Sequence, residues 1–162
     1  MDFAVKPQGC TNIKLRQLMR RVAQHYDAEL GKTGLKTTQY SLLSCAVKLG
    51  PIRPVDLARE LKVGASTLTR NLRPLIDAGL LQLDPGADGR SRLVSATAAG
   101  REKRQEAQRR WRIAQEGINQ ILGARRVVAL HALIEECMGL LSPLREGEPD
   151  ELCDLSRAAG LA

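Results

Sequence analysis

A set of hydroxyl and guanidinium side chains within residues 66–92 is spaced to meet a polyanion. Ser66, Thr67, Thr69, Arg70 and Arg73 lie on a stretch, residues 65–78, whose apolar members Leu68, Leu72, Leu75 and Ile76 recur at helical spacing. The polar five occupy the rest of that helix. Small hydroxyl side chains at the start of an exposed helix permit close approach to a DNA major groove, and arginines reach guanine edges or phosphates. An ordinary amphipathic helix with a solvated polar face has the same pattern. Arg90 and Arg92 follow at or near a polar, glycine-rich turn over residues 84–90, between two short runs, 80–83 and 91–95, that can pair as strands. From such a turn they can reach phosphate or the minor groove.

The preceding elements must position this face. Residues 54–61 read as a short amphipathic helix with Pro54 near its start, and Val55, Ala58 and Leu61 can share a buried side. Lys62-Val63-Gly64 supplies a turn whose glycine permits an unusual backbone angle. Gly79 ends the second helix ahead of the hairpin. Helix, turn, helix and hairpin together predict a mainly α fold, a winged helix-turn-helix with a small β-hairpin wing. Pro74, inside the second helix, removes the hydrogen bond to the carbonyl of Arg70 and is expected to bend or loosen it.

Further helices flank this unit. One, capped by Thr11 or Asn12, runs to about Leu30 with Leu15, Leu18, Val22, Tyr26 and Leu30 on one side. Another covers residues 37–48, with Tyr40, Leu43 and Val47 facing the core and Cys45 as a small buried hydrophobe. Gly50-Pro51 ends it, and Ile52-Arg53 can add a third short strand. A long helix from residue 97 or 98 to 122 has a basic first half and packs through Ala107, Trp111, Ala114, Ile118 and Ile121 or Leu122. Gly123 breaks it, and residues 124–141 carry Val127, Leu130, Leu133, Ile134, Cys137, Met138 and Leu141. That last stripe is more apolar than a small winged domain needs. Burying it against the first helix and a symmetry mate makes an α-helical dimerisation region and a two-fold homodimer. The residues expected there are Leu15, Leu18, Val22, Trp111, Ile118, Leu130, Leu133, Ile134 and Met138. The chain thus divides into an arm and first helix (1–34), the winged unit (35–97), the two later helices (98–142) and an acidic tail (143–162).

Composition agrees. A chain of 162 residues suits one compact unit, and one Trp, two Tyr and one Phe leave a core of aliphatic side chains, which favours packed helices. A formal charge of +7 favours a polyanionic partner. No apolar run is long enough to cross a bilayer and no secretory signal is evident, so a soluble, cytoplasmic protein without a membrane partner is expected. Cys10, Cys45, Cys137 and Cys153 have neither the paired spacing of a zinc knuckle nor the density of a disulfide scaffold. His25 and His131 belong to no local metal motif; His25 with Asp27 and Glu29 reads equally as an ordinary polar face. No cofactor, metal or enzyme activity is expected: there is no nucleotide-binding glycine loop and no convincing nucleophile–base arrangement.

The order Leu57-Ala58-Arg59-Glu60-Leu61, Ser66-Thr67-Leu68-Thr69-Arg70, Asp77-Ala78-Gly79-Leu80-Leu81, Asp88-Gly89-Arg90 and Ala96-Thr97-Ala98-Ala99-Gly100 resembles the MarR family of transcriptional regulators. The resemblance runs from about Asn12 to Leu141 and includes residues 34–43 at the entry to the second helix. It departs from the family at Gly89, where many relatives carry a charge, at Ala96, where they carry leucine, and at Pro74. Asp88 and Arg90 match the wing's acidic and basic positions, whose pairing would brace the loop. The resemblance implies a homodimer on a pseudo-palindromic double-stranded operator, usually a repressor released by a ligand or by oxidation. A small aromatic or phenolic inducer is the commonest implied class, with His25, Tyr26, Tyr40 and Arg53 as pocket candidates. Cys10, just ahead of the first helix, resembles the placement of a redox-sensing thiol, and the positive end of a helix favours thiolate. An idle cysteine, and a winged-helix protein-interaction module without specific DNA binding, are the alternatives.

Overall fold

The computed structural model describes residues 8–87 and 91–141. Its elements run α1 (Thr11–Leu30), α2 (Thr37–Leu49), α3 (Pro54–Glu60), α4 (Ala65–Asp77), β1 (Leu81–Pro85), β2 (Arg92–Ala96), α5 (Ala98–Leu122) and α6 (Ala124–Leu141), with one 3₁₀ turn at Gly31–Thr33. The fold is mainly α with a two-stranded antiparallel hairpin, as the sequence predicts. Leu81 pairs with Ala96 and Pro85 with Arg92. The third strand expected at Ile52-Arg53 is reduced to one bridge: Ile52 and Val94 exchange N–H···O bonds of 3.0 and 2.7 Å.

The winged core is aliphatic. Leu42 and Leu43 of α2, Leu57 of α3, Leu75 of α4, Leu81 of β1 and Val94 of β2 are fully buried together, with Cys45 among them. Burying such side chains contributes roughly 1.5–3 kcal/mol each. This is the main force holding α4 against α2 and α3.

Three local expectations are corrected. The N-cap of α1 is Cys10, not Thr11 or Asn12; its carbonyl accepts the first helical bond from Lys14 N at 3.1 Å, while its side chain caps nothing. In α3 the buried side is Leu57 and Ala58 with half-buried Leu61, whereas Val55 is 59% exposed. A helix of two turns fits either apolar phase, and packing on α2 and α4 selects the one containing Leu57. The left-handed residue of the turn is Lys62 (φ 51°), whereas Gly64 is extended at φ −70° and serves as the N-cap position of α4.

The last correction has a hydrogen-bonding cause. Lys62 N donates to Arg59 O and Val63 N to Ala58 O, both at 3.0 Å, closing α3 in a Schellman motif whose left-handed position falls on Lys62. The end of α4 repeats it: Gly79 N donates to Ile76 O (2.8 Å) and Leu80 N to Leu75 O (2.9 Å), with Gly79 at φ 69°. Across Pro74, α4 is assigned as one continuous helix, and Pro74 and Arg70 are both exposed.

Thr97 then couples the end of α4 to the start of α5. Its hydroxyl donates to Gly79 O at 2.7 Å and accepts from Gly100 N at 3.0 Å, an N-cap that also fixes the helix entry. Gly100 lies so near β1 that an added Cβ would fall 2.0 Å from the carbonyl oxygen of Leu80. Backbone cannot step aside there. Gly100→Ala is therefore expected to lower stability by about 1–3 kcal/mol, read as a shifted urea midpoint at unchanged slope. A midpoint equal to wild type would contradict this packing.

The approach of α5 to α1 is also close. Ala107 and Ala114 are fully buried, and a Cβ on Gly117 would sit 2.8 Å from His25 Nε2. Among the described residues, no helix is long and apolar enough to cross a membrane.

Candidate nucleic-acid interface

On α4, burial of Leu68, Leu72 and Leu75 turns Ser66, Thr67, Thr69, Arg70 and Arg73 outward, and all five are exposed. Thr69 Oγ1 donates back to Ala65 O at 2.9 Å, which leaves its lone pairs facing out. Arg70 has no ion pair among the described residues, whereas Arg73 Nε lies 3.1 and 3.2 Å from the two carboxylate oxygens of Asp77. Arg73 thus reaches outward partly neutralised. That i,i+4 spacing is legible in the sequence, where Asp77 stands four residues after Arg73, whereas nothing local marks Asn71. Asn71, half-buried beside the exposed face, accepts from Thr38 Oγ1 of α2 at 3.1 Å.

Arg92 is exposed at the turn end of the hairpin, opposite Pro85. Arg90, and the bracing pair expected between Asp88 and Arg90, lie outside the described residues. Within the described hairpin Asp84 is the tie: Gln82 Nε2 and Ser95 Oγ both donate to it. At the start of α3, Asp56 accepts from Arg53 Nε at 2.6 Å and from Arg59 at 3.2 Å. The hydrogen bond from Arg53, then the charges of both arginines, hold the Asp56 carboxyl below the usual range.

A cleft of about 410 Å³ opens between α1, α5 and α6. Apolar side chains, among them Leu18, Val22, Trp111, Ile118 and Ile134, line most of it, with Tyr26, Thr37, Gln115 and His131 as its polar members. The Tyr26 hydroxyl donates to Gln115 Oε1, and burial pushes the phenol above its ordinary pKa, so it stays a neutral donor at physiological pH. The Tyr26 and Trp111 rings are 6.4 Å apart. The four pocket candidates are not gathered here. His25 donates from Nε2 to Ala114 O at 3.1 Å, Tyr40 is in the winged core, and Arg53 is held by Asp56. His131 and Gln115 line the cleft instead, and the four-residue spacing of Trp111 and Gln115 was the available signal.

The residues expected at a dimer surface are left largely uncovered by their own chain. Leu15, Leu18, Leu133, Ile134 and Met138 are exposed, while Val22, Trp111, Ile118 and Leu130 are half-buried. In α6 only Val127 is buried. Cys10 is exposed at the start of α1, Cys137 is exposed on α6, and Cys45 is buried. Glu29 accepts from Lys32 and faces Arg110 of α5 at 3.5 Å; the Lys32 hydrogen bond is the larger cause of its lowered pKa. Among the described residues no group of His, Cys, Asp and Glu is arranged to hold a metal.

A model of the MarR family matches residues 35–90, from the start of α2 to the wing. The HTH-type transcriptional regulator YwoH of Bacillus subtilis is 31% identical over 93 residues, which cover 57% of this chain and 68% of that protein. Among solved structures, the transcriptional regulator MosR of M. tuberculosis in complex with DNA is 31% identical, with a TM-score of 0.63 over 80% of this chain and 98% of that one. A probable transcriptional regulator from Pseudomonas aeruginosa is 26% identical, with a TM-score of 0.72 over 78% and 96%.

Proposed function

This chain belongs to the MarR family of DNA-binding transcriptional regulators, and from that premise we propose that it binds a pseudo-palindromic operator as a homodimer and represses transcription until a small aromatic or phenolic ligand enters the cleft. The observation that carries the reading is the outward face of α4, where hydroxyls and arginines are exposed while the leucines between them are buried. Placed in a major groove, Arg70 reads a base edge or holds a phosphate, and Ser66, Thr67 and Thr69 allow close approach. Arg73 contributes less, because Asp77 offsets its charge. Arg92, with Arg90, reaches the flanking backbone or minor groove from the wing. The MosR complex with DNA supports this placement of the fold.

Dimerisation is supported by the uncovered apolar residues of α1 and α6, and it sets two half-sites about one helical turn apart. The cleft supports the ligand class: an apolar floor with Trp111 for stacking, and Tyr26, Gln115 and His131 to orient a hydroxyl or carboxylate. Such a ligand regulates only by favouring one arrangement of the two winged units over the other.

Footprinting of the reduced protein on its own upstream DNA, across a salt series, tests the proposal. The expected result is one protected imperfect palindrome of roughly 15–25 base pairs whose protection weakens as salt rises. A panel of small aromatic acids and phenols should release it. Uniform coating, or protection indifferent to every member of the panel, would count against the operator reading and the ligand reading respectively.

A further inference from the structure

Two hydrogen-bonded links join α1 to α4 through the first turn of α2. Asp27, on the last turn of α1, places Oδ1 2.9 Å from the backbone nitrogen of Thr37 and 2.6 Å from its hydroxyl. One residue further, Thr38 Oγ1 donates to Asn71 Oδ1 on α4 at 3.1 Å. The amide nitrogen of Asn71 donates in turn to Thr67 O at 3.0 Å, on the same helix as the outward hydroxyls.

The first link has a clear cause. The first N–H groups of a helix lack intrahelical acceptors, and an anion is favoured beside them. The N-cap position of α2 is Lys36, which has no side-chain acceptor to offer; Gln39 Oε1 turns back to accept the Lys36 N–H at 2.9 Å. The acceptor for Thr37 N–H is therefore supplied by α1. The helix that begins the DNA-reading unit is capped by a carboxylate from the helix carrying Leu15 and Leu18.

Neither link is buried, and neither is needed to bury the core. Their position gives them another use. A rotation of the winged unit about α1 large enough to part Asp27 from Thr37 breaks the first link, and a drift of α4 relative to α2 large enough to part Thr38 from Asn71 breaks the second. We infer that Asp27, Thr37, Thr38 and Asn71 form a brace that fixes the angle of α4 to the dimerisation helix and so sets the half-site spacing the protein accepts. Thr37 also lines the cleft, so the brace and the cleft share a residue. The inference rests on the two-half-site operator proposed above.

The test is binding to three duplexes: the footprinted operator, and the same operator with one base pair added or removed between half-sites. One base pair moves a half-site by about 3.4 Å and turns it by about 35°. Wild type is expected to favour the natural spacing by about tenfold or more, and Asp27→Ala by about threefold or less, a change well within what the loss of two exposed hydrogen bonds per protomer can supply. Asp27→Asn keeps an oxygen acceptor for Thr37 and should retain most of the preference. Asn71→Ala should lose part of it with Asp27 intact. Equal weakening at all three spacings in both alanine variants marks a merely structural role and overturns the brace, as does an unchanged preference. Indifference of wild type itself to spacing overturns the two-half-site reading, and the brace with it.

Discussion

Arg70→Ala is expected to reduce operator affinity more than any other single change on α4. A good bidentate contact from arginine to guanine is worth about 1–3 kcal/mol, and a two-fold dimer loses it twice, for a total of roughly 2–6 kcal/mol. Arg70 is exposed on the same face as Ser66 and Thr67, and among the described residues no carboxylate pairs with it. Arg73→Ala should cost distinctly less, because the neighbouring Asp77 already offsets that charge. Anisotropy titrations at several salt concentrations separate two modes for Arg70. If it reads a base, the variant loses discrimination between operator and random duplex with little change in salt slope. If it holds a phosphate, affinity falls for both duplexes and the slope drops by about two per dimer. An Arg70→Ala protein that binds the operator within twofold of wild type would remove Arg70 from the interface.

The second large effect is expected at α6. Ile134→Glu puts a carboxylate into a surface rich in exposed Leu133, Met138, Leu140 and Leu141, next to Glu135 and Glu136. In an isologous interface the change appears on both sides of the axis. Burying an unpaired charge costs several kcal/mol per ion, enough to separate the protomers at micromolar concentration. Sedimentation should show a monomer with unchanged helical circular dichroism, because Ile134 is 41% exposed in the single chain and supports no core. Footprints should disappear with the dimer, since each half-site alone has only one winged unit to hold it. A variant that still sediments as a dimer would place the interface elsewhere.

The contrast between these sites explains what could be read from sequence. In α4 the leucines at 68, 72 and 75 recur over thirteen residues, long enough for the period to fix which face is buried. In α3, seven residues hold too few repeats, and the choice between Val55 and Leu57 fell to its neighbours. The turn after α3 misled for a related reason. Glycine marks a left-handed position statistically, but the Schellman hydrogen bonds count residues from the helix end, and that count falls on Lys62. Pairings across long sequence separations, Tyr26 with Gln115 and His25 with Ala114, left no local trace, and neither did the ten-residue step from Asp27 to Thr37. Tyr26, Trp111 and Ile118 were therefore nameable as apolar or aromatic positions, while the cleft they share with His131 required the packing of three helices.

The placement of Trp111 has an optical consequence. It is the chain's only tryptophan, half-buried on α5 where the cleft meets α1, with the Tyr26 ring 6.4 Å away. Light absorbed at the red edge of the aromatic band therefore excites a single fluorophore per chain, and its emission reports one junction. A bound aromatic compound that stacks there changes its intensity. Drying of the same junction by a second protomer shifts its colour to the blue. The unlabelled protein would thus indicate both of the proposed events, ligand entry and dimerisation, distinguishable by quenching in one case and by wavelength in the other.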